Sequence, residues 1–253
     1  MNAKKLSFLL LILVAVACTN RSTSSEQDEM RHWNNVLQQI NALLLENKAR
    51  QTLDLAKQTL PEILESAEKN GTTDTLIYYA RKIINACGNN YINTKQYKDG
   101  IDYMDSIGNH PLIREHCPHE LLSFKAGLNQ LYGNNPEAVR LAEDYLQLPV
   151  CTSANDFIRQ AEIISGVYMY SGNNLPKAIQ ILEKAIDVYR KGGNFPNMLR
   201  IMSRLGIYYH LSGEYEKAIA TNQEAIATYN DSIAPGNVVI AYGEQANLYA
   251  ELG

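Results

Sequence analysis

Gly206-Ile207-Tyr208-Tyr209-His210-Leu211-Ser212-Gly213 recurs in altered form forty residues before and forty residues after itself. The earlier copy is Gly166-Val167-Tyr168-Met169-Tyr170-Ser171-Gly172-Asn173, and the later copy is Ala246-Asn247-Leu248-Tyr249-Ala250-Glu251-Leu252-Gly253. Each copy opens on a small residue and continues with aromatic and apolar residues. A constant period between about twenty and fifty residues indicates a stack of equivalent supersecondary units.

A second element recurs with the same period. Ala138, Ala178 and Ala218 are each forty residues apart, and Pro136 and Pro176 stand where a helix would begin, a place that tolerates a missing N–H. Small residues at a crossing allow two helix axes to approach, while larger apolar residues fill the gap between ridges. We therefore expect one set of small residues to pack the repeats together, namely Gly166, Gly206, Ala246, Ala138, Ala178 and Ala218.

The unit around residue 206 resembles the tetratricopeptide repeat. The matching positions are Leu205, Gly206, Tyr209, Gly213, Tyr215, Ala218 and Ala225. Other units depart from the pattern, because Ser165 replaces a large apolar residue, Gly100 stands where an alanine is usual, and Pro196 and Pro235 lie in longer loops. The resemblance covers residues 31–253 and is strongest from about residue 153.

This resemblance implies an all-α solenoid of antiparallel helix hairpins with a period of about 40 residues. We predict five pairs and a final lone helix, at 31–45 with 48–66, 74–92 with 95–107, 118–132 with 136–147, 154–171 with 175–190, 197–212 with 215–229, and 236–252. Gly253 would occupy the turn inside the last unit. We therefore favour a chain that continues into a longer protein.

The N-terminal segment has the order of a secretory signal peptide. Lys4 and Lys5 precede the apolar run 6–14, and small residues follow before Cys18. Residues 14–18 resemble the lipobox of bacterial lipoproteins, although Ala15 stands where leucine is usual. An ordinary Ala-x-Ala cleavage without lipid, and an uncleaved buried helix, remain alternatives. We predict a signal peptide at 1–17, a polar tether at 18–30 that follows lipidated Cys18, and a helical repeat domain at 31–253.

Charge and motifs argue against several functions. The formal net charge is -4 and the lysines and arginines are scattered, so the sequence predicts no nucleic-acid binding by this segment. The sequence has no Gly-x-Ser-x-Gly elbow, phosphate loop or dinucleotide fingerprint, which predicts that the protein is not an enzyme and uses no cofactor. His116-Cys117-Pro118-His119 offers too few ligands for a closed metal site, so we expect no metal.

Three cysteines remain after Cys18. Cys117 and Cys151 are predicted to open consecutive units, where packed layers lie farther apart than a disulfide can reach. Cys87 is expected to be a small core residue within a helix. We therefore predict free thiols at all three positions.

The resemblance places a ligand groove on the first helix of each unit. Carried over by register, the groove positions are Gln160, Ile163, Val167, Tyr170, Arg200, Ser203, Ile207, His210 and Asn247. They lack the lysine and asparagine set that holds a C-terminal carboxylate in some relatives. A protein or peptide ligand held by aromatic and apolar contacts is expected, with Arg200 supplying one charge-assisted bond.

Two functions fit these features. The first is an exported scaffold for protein–protein interactions, lipid-anchored to the cell envelope on the outer-membrane or periplasmic side. The second is the N-terminal sensory region of a signalling protein with a histidine kinase or helix-turn-helix output domain. A hydrophobic stretch of about twenty residues encoded beyond codon 253 would argue for the second.

Overall fold

The computed structural model describes residues 24–149, 154–192, 195–228 and 235–252, and within these ranges it is helical and contains no strand. Twelve helices follow one another in the order α1 (Ser24–Leu45), α2 (Ala49–Asn70), α3 (Asp74–Asn93), α4 (Tyr97–Gly108), α5 (Pro111–His116), α6 (Pro118–Tyr132), α7 (Asn135–Gln147), α8 (Ala154–Tyr170), α9 (Leu175–Gly192), α10 (Phe195–Leu211), α11 (Tyr215–Ala227) and α12 (Pro235–Leu252).

The helices form five antiparallel hairpins followed by a single helix. The pairs are α1 with α2, α3 with α4, α6 with α7, α8 with α9, and α10 with α11, and α12 packs on α10 and α11. We call α1, α3, α6, α8, α10 and α12 the A helices and α2, α4, α7, α9 and α11 the B helices. The predicted all-α solenoid of hairpins is therefore confirmed.

The turns of all five hairpins share one backbone feature. Each turn contains a single residue with positive φ, at Asn47, Lys95, Gly133, Asn173 and Gly213. In four turns the next N–H reaches back five residues, as in the bond from the Glu214 N–H to the Tyr209 carbonyl, which is 2.9 Å long. This bond belongs to the helix-ending motif that favours glycine or asparagine at the left-handed position. The turn predicted at Gly213 is confirmed.

Two elements differ from the prediction. Helix α1 begins at Ser24 instead of residue 31, so the predicted polar tether at 18–30 overlaps it. The N-terminal part of α1 is held by α3, since the Tyr79 hydroxyl donates to the Met30 carbonyl at 3.3 Å. The region between the second and third hairpins, predicted as a loop, contains α5. His110 caps this short helix by accepting a hydrogen bond from the Leu112 N–H.

The apolar interior is continuous along the stack but falls into two groups of buried side chains. One group joins α1 to α6, and the other joins α6 to α12. Ala138, Ala178 and Ala218, for which a packing role is predicted, are fully buried in the second group. The two groups meet at α6 and α8, where Gly127 lies against Ile163.

The other three predicted packing positions differ in how closely they are packed. At Gly206 an added Cβ would meet the side chain of Asn222, so this glycine permits a close approach. At Gly166 the nearest atom to an added Cβ is Gln130 Oε1 at 4.0 Å, which leaves ordinary room. Ala246 is exposed, because α12 has packed neighbours on one side only. The close-packing role predicted for Gly166 and Ala246 is therefore wrong.

Candidate functional site

The A helices present a concave face. Each contacts its successor from α3 to α12, and side chains two repeats apart still reach one another. Arg159 Nε in α8 donates to Asn89 Oδ1 in α3 at 2.9 Å, passing over the intervening helix α6. Such a contact requires the A face to curve inward, so this face is the hollow side of the solenoid.

The centre of the A face holds three arginines around one carboxylate. Glu162 is almost completely buried in α8, and it accepts from Arg159 at 3.2 Å within the same helix. From α10, Arg200 Nη2 lies 2.9 Å from Glu162 Oε2, and Arg204 Nη2 lies 3.3 Å from Glu162 Oε1. Arg204 also donates to the Glu162 carbonyl at 3.0 Å. We call these four residues the arginine cluster.

The arginine cluster carries more positive charge than Glu162 can balance. Burial and the neighbouring charges of Arg200 and Arg204 lower the pKa of Arg159, while Glu162 acts in the opposite direction. Arginine still remains protonated in proteins. With three guanidinium groups and one carboxylate, the cluster has a formal charge of +2.

A second polar group links α3, α6 and α8. Glu120 is fully buried, and it accepts from Gln160 Nε2 at 3.2 Å while Arg81 Nε lies 3.9 Å away. Tyr145 in turn donates to Gln160 Oε1 at 3.2 Å. Because every member has a partner, this network fixes the relative positions of three A helices rather than offering free groups to a ligand.

A third polar group joins α10 to α12. His210 Nδ1 lies 2.5 Å from Glu244 Oε1, and His210 Nε2 lies 2.9 Å from Glu251 Oε2. The two glutamates are seven residues apart on α12 and therefore lie on one side of that helix. Their hydrogen bonds, led by that of Glu251, raise the pKa of His210.

Three of the predicted groove residues are buried. Gln160 belongs to the network around Glu120, Val167 is fully enclosed in the apolar core, and Ser203 donates to the Leu199 carbonyl at 2.9 Å. None of them can line a groove that is open to a ligand, so the prediction is wrong for these positions. The cause is that an A helix packs against both neighbouring A helices and its own B helix.

The remaining predicted groove residues have mixed roles. Tyr170 is 69% exposed and Asn247 is exposed, whereas Ile163 and Ile207 are half-buried against the core groups. Arg200 is 38% exposed and His210 is mostly enclosed, and both already hold internal ionic partners. The charge-assisted bond expected of Arg200 is thus made within the chain.

Several residues of the A face were not predicted, namely Arg81, Asn89, Glu120, Arg159, Glu162 and Arg204. A signal for part of this set is present in the sequence. Positions 120, 160 and 200 are forty residues apart and hold Glu, Gln and Arg, so one register position is polar in three consecutive units. A polar residue repeated at a core-facing register indicates a ladder between neighbouring helices.

The histidine and cysteine run between the second and third hairpins is dispersed by the fold. Cys117 is fully buried, while His119 Nε2 bonds the Pro149 carbonyl at 2.7 Å. Within the described ranges, no group of three His, Cys, Asp or Glu side chains is arranged to hold a metal ion. Cys87 and Cys117 are free thiols, as predicted, whereas Cys18 and Cys151 lie outside the described residues.

The described helices do not have the properties of membrane-spanning segments. None of them combines sufficient length with sufficient apolar character. The predicted signal peptide at 1–17 and lipidation at Cys18 fall outside the described residues and remain predictions.

Known proteins share both the repeat and its arrangement. Residues 161–231 match the family "Tetratricopeptide repeat". No curated protein matches the sequence significantly. Among solved structures, BtubC (BKLC) from P. vanneervenii superposes with a TM-score of 0.60 at 12% identity, over 80% of this chain and 83% of that one.

A second solved structure contains kinesin light chain TPR-like repeats from Podosopora anserina. It superposes with a TM-score of 0.50 at 12% identity, over 79% of this chain and 95% of the other. At these identities the likeness concerns the fold alone. Residues 161–231 are thus similar to tetratricopeptide repeats, and the described helices as a whole have an all-helical solenoid fold of TPR-like hairpins.

Proposed function

We propose that the protein is an exported lipoprotein scaffold, which binds another polypeptide on its concave A face and performs no catalysis. The observation that carries this proposal is the A face itself. It curves inward, it exposes Tyr170 and the edges of three arginines, and its floor is fixed by buried polar contacts. A hollow with aromatic and cationic groups suits an extended or helical peptide.

Affinity capture with the full chain tests the scaffold function. We expect the wild-type chain to retain specific polypeptides from an envelope extract and the Tyr170→Ala variant to retain less of them. Arg140→Ala serves as a control, because Arg140 is an exposed residue on the B helix α7 and bonds Glu137 and Asp144 there. Equal capture by wild type and the Tyr170 variant would argue against ligand binding on the A face.

Membrane anchoring is tested at Cys18. We expect radiolabelled palmitate to be incorporated into the wild-type chain and not into a Cys18→Ala variant, because the acyl groups attach through this cysteine. Several acyl chains together anchor far more firmly than one, since each buried methylene adds about 0.8 kcal/mol. A labelled Cys18→Ala variant would contradict lipidation at this position.

The sensory region of a signalling protein is a second candidate. It is favoured by the outer side of α12, which exposes apolar residues that a further helix could cover, namely Val239, Ile240, Tyr242, Tyr249 and Leu252. The coding sequence beyond codon 253 discriminates the two functions. A membrane-spanning segment of about twenty residues followed by an output domain would favour the sensor and contradict the stand-alone scaffold.

A further inference from the structure

The arginine cluster has unused capacity for an anion. Each guanidinium carries five N–H donors, whereas a carboxylate offers about four acceptor positions. Glu162 is shared by all three arginines, and Arg200 Nε is buried without an acceptor among the described residues. Buried donors normally find a partner, so the cluster is short of acceptors as well as of negative charge.

The arginine cluster is also accessible from the hollow. The side chains of Arg159, Arg200 and Arg204 are 33%, 38% and 37% exposed, although Glu162 beneath them is only 6% exposed. The arginine side chains therefore cover the carboxylate and are exposed to the hollow of the A face. A negative group arriving from the solvent meets the cations first.

We propose that the arginine cluster binds an acidic side chain of the polypeptide held on the A face, with Glu162 as the internal competitor for the arginines. This inference rests on the proposed scaffold function and adds the chemical class of its ligand. Arginine forks match a carboxylate in paired, charge-assisted hydrogen bonds. The face continues on both sides of the cluster, towards Asn89 and towards α12, which suits an internal residue of a passing chain.

Substitutions of Glu162 and Arg204 are expected to change the affinity for an acidic peptide in opposite directions. We expect Glu162→Gln to bind an acidic peptide about tenfold more tightly, because the isosteric amide removes the competing charge. We expect Arg204→Gln to bind about tenfold more weakly, which is the loss of roughly one charge-assisted hydrogen bond. Arg140→Gln carries the same change of charge as Arg204→Gln but lies on a B helix, and it should leave binding unchanged.

Fluorescence anisotropy with the full chain measures these affinities. The probe is a labelled oligoglutamate peptide with an amidated C-terminus, and its comparison is an oligoglutamine peptide with a free C-terminus. Binding of the first alone supports recognition of acidic side chains, whereas binding of the second alone would overturn it in favour of a terminal carboxylate. Circular dichroism establishes that each variant retains the helical content of the wild type.

Three further outcomes would refute the site. Weaker or unchanged binding by Glu162→Gln would show that this carboxylate does not compete with the ligand. An equal loss in Arg204→Gln and Arg140→Gln would show attraction to overall charge only. If the oligoglutamate probe does not bind while the full chain still captures polypeptides, the acidic-ligand proposal fails and the scaffold function stands.

Discussion

Gly127 and Gly166 lie in consecutive A helices, one register position apart, and their surroundings differ. An added Cβ at Gly127 would lie 2.7 Å from Ile163 Cγ2, whereas at Gly166 it would meet nothing closer than 4.0 Å. We expect Gly127→Ala to lower the free energy of unfolding by about 1–3 kcal/mol through overpacking. Urea denaturation followed by circular dichroism measures this change.

Gly166→Ala is the matched control for that substitution. Alanine is favoured over glycine in a helix interior by about 0.5–1 kcal/mol, and the added methyl group has room here. We therefore expect this variant to be as stable as the wild type or more so. A similar loss in both variants would contradict the difference in packing between the two positions.

The described thiols should be chemically inert in the folded protein. Burial raises the pKa of Cys87 and of Cys117 to about 12, so almost no reactive thiolate forms at neutral pH. In a Cys18→Ser, Cys151→Ser variant we expect no reaction with a thiol-specific chromogenic reagent until denaturant is added. Two equivalents should then react, and rapid reaction without denaturant would contradict the burial of these thiols.

Residue roles could be predicted from the sequence where one type of contact decides them. The alanines at 138, 178 and 218 had a single requirement, a small volume at a helix crossing, and their role followed from their spacing. The burial of Gln160, Val167 and Ser203 could not be predicted in this way. Consecutive residues of a helix point about 100° apart, so a shift of one position moves a side chain from the narrow exposed stripe into the core.

At the level of helices, periodicity and turn residues were sufficient for most boundaries. Gly133 and Gly213 mark the ends of α6 and α10 because glycine adopts the left-handed conformation easily. Helix α5 could not be predicted, since a helix of six residues has too few positions for a periodic pattern. The early start of α1 depends on a long-range contact of Tyr79, which spacing along the chain does not reveal.

The attachment of α12 should depend on pH. His210 contacts Glu244 and Glu251 on α12 and the ring of Tyr215, and its two hydrogen-bonded glutamates raise its pKa above the ordinary value of 6.5. A raised pKa means that the folded state binds the proton more tightly than the unfolded state. This stabilisation is complete below about pH 6.5 and is lost as the pH rises through the raised pKa.

Hydrogen exchange of the α12 amides measures this dependence. After correction for the intrinsic rate at each pH, we expect protection of α12 to fall as the pH rises through the raised pKa. The His210→Gln variant should lose the pH-dependent part and keep the rest. Protection that follows pH equally in this variant would assign the effect to another group.

At the scale of the whole molecule, stability should be distributed along the stack. The two groups of buried side chains meet only at α6 and α8, and a solenoid is stabilised mainly by contacts between neighbouring repeats. Ile83→Ala, in the first group, should cost about 2–5 kcal/mol locally. We expect hydrogen exchange to accelerate strongly in α2, α3 and α4 and little in α10 and α11, and a uniform acceleration would indicate a single cooperative unit.

The bond between Asn89 and Arg159 has a mechanical consequence, because it joins two helices across a third. The distance between α3 and α8 across α6 depends on the curvature of the solenoid, and this hydrogen bond holds that distance short. A negative group that draws the Arg159 guanidinium away from Asn89 would let α3 and α8 move apart, and the solenoid would become less curved. The curvature of the solenoid and ligand binding are then thermodynamically coupled, so that any change that straightens the solenoid also changes the affinity for the ligand.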